Sequence, residues 1–153
     1  GYGVRLDVYG WYNPEEYDPH DSAGKGVVAA DFQNYMAVYN PLGICKFIAK
    51  GKVEPRHIAD LVNAAMGWEW TPDRLLQTGE RLFNLKRLIN LRLGITSADD
   101  TLPRRLLTEP RPSGGAEGVL PDLELMLAEH YLARGWTPEG VPCTERLQAL
   151  GLA

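Results

Sequence analysis

The 153-residue chain is poor in the residue types around which most self-contained catalytic centres are built. It has three histidines and two cysteines, with no His-Glu-x-x-His pair, no glycine-rich phosphate loop and no Gly-x-Ser-x-Gly elbow. It also lacks an excess of positive charge. Sixteen basic residues are scattered among twenty acidic ones for a net charge of −4, which leaves no footprint for a phosphate backbone and excludes nucleic acid as a partner. Long apolar runs are missing, as is a charged and then greasy leader, so no membrane partner and a cytoplasmic location are expected. Two cysteines, Cys45 and Cys143, allow one bridge at most. A chain of this length with 44% apolar residues buries a core without a staple, which fits a reducing compartment. No alternating period-2 run is long enough to found a sheet.

What is present is helical periodicity punctuated by proline and glycine. Residues 1–24 are rich in Gly, Pro, Asp and Tyr, with Asn13-Pro14 and Asp18-Pro19, and read as an extended segment that wraps a neighbour. From Lys25, the residues Val27, Val28, Ala30, Phe32, Tyr35, Met36 and Val38 recur at helical spacing until Asn40-Pro41 ends the run. Phe47 and Ile48 indicate a short turn ending near Gly51. A helix starting at Glu54-Pro55 places Ile58, Leu61, Val62 and Ala65 on one face. Thr71-Pro72-Asp73 supplies a cap, a first-turn proline and an acid at the positive end of the dipole for a helix reaching Leu93. That helix carries a polar stripe of Asp73, Gln77, Glu80, Asn84 and Arg87 amid leucines, and Gly79 within it predicts close approach of another backbone. Gly94 closes it. A short turn follows Pro103, a surface loop covers 110–118, a helix runs from Asp122 to Gly135, and a last helix is capped by Thr144 and stops at Gly151. The fold class is therefore all-α: an irregular multihelical domain of about five to six helices with long loops, occupying 1–153 as one domain.

Taken one by one, the polar residues point to structure. His130 lies on the apolar side of its helix and reads as a hydrogen-bonded packing histidine. Asp99-Asp100 reads as a cation site or, more commonly, a solvated turn or a cap for the Pro103 turn. Cys143, just before a helix start, reads as structural.

Five stretches taken together say more. Asn40-Pro41-Leu42-Gly43-Ile44-Cys45-Lys46-Phe47 resembles the Asp-x-x-Gly-Leu-Cys segment of the aldehyde ferredoxin oxidoreductases, with Asn40 where that family has an acid. Gly79 to Arg87, Asp99 to Arg105, Tyr131 to Trp136 and the closing Glu145 to Leu152 resemble segments of the same family in the same order. The resemblance implies the C-terminal domain of such an enzyme. In the family the cysteine is the last of four ligands to a 4Fe-4S cluster, and the acid and adjacent backbone hold a pyranopterin.

By this resemblance Cys45 is a metal ligand, and Asn40, Leu42, Gly43, Ile44 and Lys46 face the cofactor. Lys46 is either a solvent-facing cation or a neighbour that favours the thiolate. The implied cofactors of the whole enzyme are tungsten or molybdenum bis-pyranopterin and one 4Fe-4S cluster. None is expected on this chain alone, because a cubane needs four thiolates. The implied partners are N-terminal domains of the same enzyme, ferredoxin and an aldehyde. No catalytic residue is assigned, and the start at Gly1 reads as a truncation. The competing reading is a non-catalytic helical interaction module that kept the scaffold and lost the cofactors.

Overall fold

The computed structural model describes residue 18 and residues 20–51 and 53–153. The extended segment expected over 1–24, including Asn13-Pro14, lies almost wholly outside the described residues. Among those described are six α-helices and two 3-10 helices, and no strand. They are α1 (Lys25–Tyr39), α2 (Pro55–Met66), α3 (Pro72–Arg92), α4 (Arg104–Thr108), α5 (Leu123–Arg134) and α6 (Thr144–Ala149), with 3-10 turns at Lys46–Gly51 and Ser97–Asp99. The all-α class is as read from the sequence. No described helix is long and apolar enough to cross a membrane.

The described residues fall into two compact units, whose borders lie inside α1 and α3. Unit 1 holds Phe32–Phe83. Its core is Phe32, Tyr35, Val38 and Tyr39 of α1, Ile58, Ala59 and Val62 of α2, and Leu75 of α3. The α2 face differs from the expected one. Leu61 is 55% exposed, Ala65 is exposed, and Pro55 and Ala59 take their places inside. Thr71 caps α3 as expected, its Oγ1 accepting the Arg74 N–H at 3.2 Å. Gly79 is where α3 meets α1: a Cβ there would overlap the Asn34 carbonyl oxygen and stand 2.7 Å from its carbon. The close backbone approach predicted from that glycine is present.

Unit 2 holds 20–31 and Asn84–Ala153. The start of α1 packs on α5 so closely that a side chain at Gly26 would run into the Met126 carbonyl and the Glu129 side chain. Glu129 uses the gap: its two carboxylate oxygens accept the N–H groups of Gly24 (2.8 Å) and Gly26 (3.1 Å), serving the positive end of α1. Asp122 caps α5 through the Leu125 N–H at 3.0 Å, and Gly135 (φ 66°) ends it. In α6 the cap position belongs to Cys143, with Thr144 the first helical residue, one step from the expected assignment.

The second half of α3 turns its polar stripe inward. Glu80, Asn84 and Arg87 of the polar stripe are 8%, 0% and 5% exposed, while Leu85, Ile89 and Leu93 are 42%, 48% and 73% exposed. A buried polar stripe is tolerable only if every group finds a partner.

Candidate functional site

Cys45 sits just beyond the end of α1, and the backbone shows how it is held there. Leu42 N–H reaches Val38 O (3.3 Å), Gly43 N–H reaches Asn40 O (3.1 Å) and Ile44 N–H reaches Tyr39 O (3.0 Å). The last two bonds form a Schellman closure, with Gly43 in the left-handed region at φ 66°. A Cβ on Gly43 would meet nothing within 4 Å, so the glycine is required by conformation and leaves an open face. The chain then turns at once into the 3-10 helix Lys46–Gly51, opened by Ile48 N–H to Cys45 O at 3.0 Å.

Two tyrosines anchor this loop. Tyr35 and Tyr39 are 0% and 2% exposed and meet edge to face with ring centroids 5.1 Å apart. The Tyr35 hydroxyl donates to Val53 O at 2.6 Å, tying the far end of the loop back to α1. Burial pushes the Tyr39 phenol above its usual range, so it stays neutral under the turn.

The sequence-assigned residues are brought together by this turn. Asn40, Leu42, Gly43 and the Cys45 thiol are exposed, and Ile44 is half-buried. The Lys46 side chain falls outside the described part of the structure. Gly43 and Ile44 have their N–H groups engaged in the helix closure, and the Asn40 and Cys45 carbonyls accept from Gly43 and Ile48. No three His, Cys, Asp or Glu residues among those described converge on a point. Cys45 is thus an accessible thiol on a turn held by the closure of α1. Cys143 is half-buried at the start of α6.

Beyond the 3-10 helix, Ile48, Gly51, Val53, His57, Asp60 and Leu61 line a groove of about 440 Å³. His57 is fixed in its wall by accepting the Glu54 N–H on Nδ1 at 3.0 Å.

Sequence reasoning missed a second constellation, in unit 2. Arg87 donates Nη1 to Asp100 Oδ1 (3.0 Å), sets Nη2 2.8 Å from Oδ2, and donates Nε to Gly140 O (2.7 Å). Its guanidinium lies 5.0 Å over the Trp136 ring. Tyr131 donates its hydroxyl to Asp100 at 2.6 Å, and Trp136 Nε1 donates to Asn84 Oδ1 at 2.7 Å. Burial, then the bond to Asp100, pushes the Tyr131 phenol up to about 12. Asp100 is thus neither a cation ligand nor a solvated turn, while Asp99 accepts the Thr96 N–H at 2.8 Å. Every neighbour of Arg87 is a structural partner, so the group reads as the scaffold of unit 2. His130 packs at 5.8 Å, edge-on, against Trp136, with Nδ1 3.2 Å from Gly26 O, and burial lowers its pKa.

Residues 2–152 match the family model described as aldehyde ferredoxin oxidoreductase, domains 2 and 3. The tungsten-containing aldehyde ferredoxin oxidoreductase of Pyrococcus furiosus is 40% identical over 154 residues, covering 99% of this chain and 25% of that protein. The aliphatic sulfonate oxidoreductase WOR-like subunit of the same organism is 32% identical over 125 residues, covering 76% of this chain and 20% of that one. Among solved structures, the active-site complex BamBC of benzoyl coenzyme A reductase superposes with a TM-score of 0.67 at 22% identity, over 86% of this chain and 20% of that chain, a likeness of fold. The chain spans about a quarter of the length of the tungsten-containing relatives it matches.

Proposed function

Since the chain belongs to the aldehyde ferredoxin oxidoreductase family, we propose that it is the C-terminal part of a cytoplasmic enzyme that oxidises an aldehyde to a carboxylate and passes the electrons to ferredoxin. In the overall reaction, aldehyde and water give carboxylate, three protons and two electrons, and each electron reduces one ferredoxin. When bound, the tungsten or molybdenum pyranopterin supplies the two-electron oxidation and a 4Fe-4S cluster supplies the one-electron exit.

This chain's own residues hold and enclose. Cys45 gives one thiolate to iron, and the remaining ligands come from the N-terminal domains of the same enzyme. Asn40 stands where the family carries an acid, so it offers an amide that accepts one hydrogen bond and donates others without adding negative charge. Leu42, Gly43 and Ile44 present the open side of the turn to the pterin, and Lys46 adds a cation next to the thiolate in sequence. The observation that supports this reading is the exposed Cys45 thiol on a turn locked by the Gly43 closure and the Tyr35 bond.

The test is Cys45→Ser in the full-length enzyme, measured by iron content and by the electron paramagnetic resonance signal of the reduced protein. Loss of the cluster signal with a retained metal–pterin absorbance is the expected outcome. A variant with full iron and an unchanged cluster signal would contradict the reading.

A further inference from the structure

Cys45 is a joint between two frames. On its N-terminal side the closure of α1 holds the chain, with the Ile44 N–H reaching Tyr39 O at 3.0 Å. On its C-terminal side the Cys45 carbonyl accepts the Ile48 N–H at 3.0 Å, so the peptide that follows the thiol takes its direction from the 3-10 helix Lys46–Gly51. Six residues are long for a helix of this kind, whose hydrogen bonds are poorly aligned. Little apolar burial supports it: Phe47 is 47% exposed and Ile48 39%. A segment with few buried contacts opens easily unless something outside it ties it down. Two residues beyond its end such a tie is present, the Tyr35 hydroxyl donating to Val53 O at 2.6 Å from a residue 0% exposed.

We propose that Tyr35 is a positioning residue for iron: by pinning Val53 to α1 it closes the loop that carries Cys45 at its far end as well as its near one, and so holds the thiol in place for a cluster. This rests on the reading of Cys45 as a cluster ligand. Tyr35 acts through the backbone, along a path from its hydroxyl to Val53, through the 3-10 helix and into the Cys45 carbonyl. A thiolate whose backbone is held on both sides recaptures iron whenever the bond between them breaks, so the tie sets how fast iron is lost. Tyr39 separates this effect from mere proximity. It stands one helical turn closer to Cys45, is 2% exposed, and its hydroxyl makes no hydrogen bond to the described part of the loop. Of the two buried hydroxyls, the one farther along the chain from the ligand is the one that governs it.

The experiment uses the full-length enzyme with Tyr35→Phe, which keeps the ring and removes the donor, beside Tyr39→Phe and Gly67→Ala. Iron release to an excess of a ferrous chelator is timed, and the electron paramagnetic resonance spectrum of the reduced protein is recorded. A buried bond to a backbone carbonyl changes a local opening equilibrium about tenfold. Iron release should therefore be about tenfold faster in Tyr35→Phe, with an altered cluster line shape and an unchanged metal–pterin absorbance. Tyr39→Phe should match the wild type in release and line shape. So should Gly67→Ala, which strains the left-handed end of α2 and leaves the loop alone. A Tyr35→Phe enzyme that never retains iron supports the tie if its α2 and α3 amides stay protected; protection lost there would make Tyr35 a core residue only and overturn the positioning role. Wild-type release and line shape in Tyr35→Phe would also overturn it, as would equal acceleration in all three variants. An intact cluster in Cys45→Ser would instead refute the ligand reading beneath it, so the two failures are told apart.

Discussion

Gly79→Ala is a substitution that helix propensity alone would predict to be stabilising. In the interior of a helix alanine is favoured over glycine by about 1 kcal/mol. The structure places the new methyl group against the Asn34 peptide of α1, overlapping its oxygen and standing 2.7 Å from its carbon and 3.1 Å from its Cα. These are backbone atoms in mid-helix, which cannot rotate aside, so α1 and α3 must separate. Overpacking of this kind costs typically about 1–3 kcal/mol, and a rigid obstacle belongs at the upper end of that range. The balance is a net loss of roughly 1–2 kcal/mol. Hydrogen exchange in the full-length enzyme reads this locally: α3 amides around Leu75 to Phe83 should exchange about 5- to 30-fold faster. Gly67→Ala is the contrasting control. Gly67 sits at φ 70° with nothing within 4 Å of a Cβ. Alanine there costs on the order of 1 kcal/mol through the left-handed conformation alone, with an effect confined to the end of α2. If Gly79→Ala leaves α3 exchange unchanged or slower, the close approach of α1 is not what Gly79 is for.

Trp136→Phe should destabilise unit 2 by about 1–3 kcal/mol, because it removes the indole donor to the Oδ1 of Asn84, a residue 0% exposed; a denaturant midpoint equal to wild type would show that the indole N–H contributes nothing. Tyr131 ionises at about 12 in the folded protein against an ordinary 10.0. Its contribution to stability is therefore whole below pH 10 and is lost as pH climbs toward 12. An ultraviolet tyrosinate titration should show one fewer late-ionising group in Tyr131→Phe than in the wild type, the late Tyr39 being common to both; identical late amplitudes in the two proteins would remove the case for a buried Tyr131–Asp100 bond.

The helices were largely legible because their ends are written in local chemistry. Asn40-Pro41 with Gly43, Thr71-Pro72-Asp73, Gly94 and Gly135 each act within a turn of where they stand, and α1, α3 and α5 end close to where these residues place them. Gly79 was legible for a related reason: a glycine that costs helix stability must be compensated by something close by. The inward turn of α3 was not legible. The stripe of Glu80, Asn84 and Arg87 amid leucines carries no local mark of which side turns inward. Its partners Asp100, Trp136 and Gly140 lie 13 to 53 positions further on, at separations periodicity does not sense. The same distance hid the role of Asp100, which in its own neighbourhood is one of two adjacent acids in a turn. Leu61 and Ala65 were misplaced because α2 buries a face shifted toward Ala59, a choice made by what packs on it.

The Cys45 turn differs from that network in how its geometry is set. The bonds that fix the cysteine run from Val38, Tyr39 and Asn40 to Leu42, Gly43 and Ile44, with Tyr35 reaching Val53, all within one short stretch of unit 1. The thiol's position is thus decided before any ligand arrives, and a ligand held by such a frame loses little freedom on binding metal. The Arg87 network is assembled from residues far apart in the chain and carries no exposed donor toward a ligand. On the proposed reading, scaffold and ligation therefore rest on separate sets of residues. Removing the thiol should cost the enzyme its cluster while α3 amide protection persists, and loosening the network should cost stability before it touches iron.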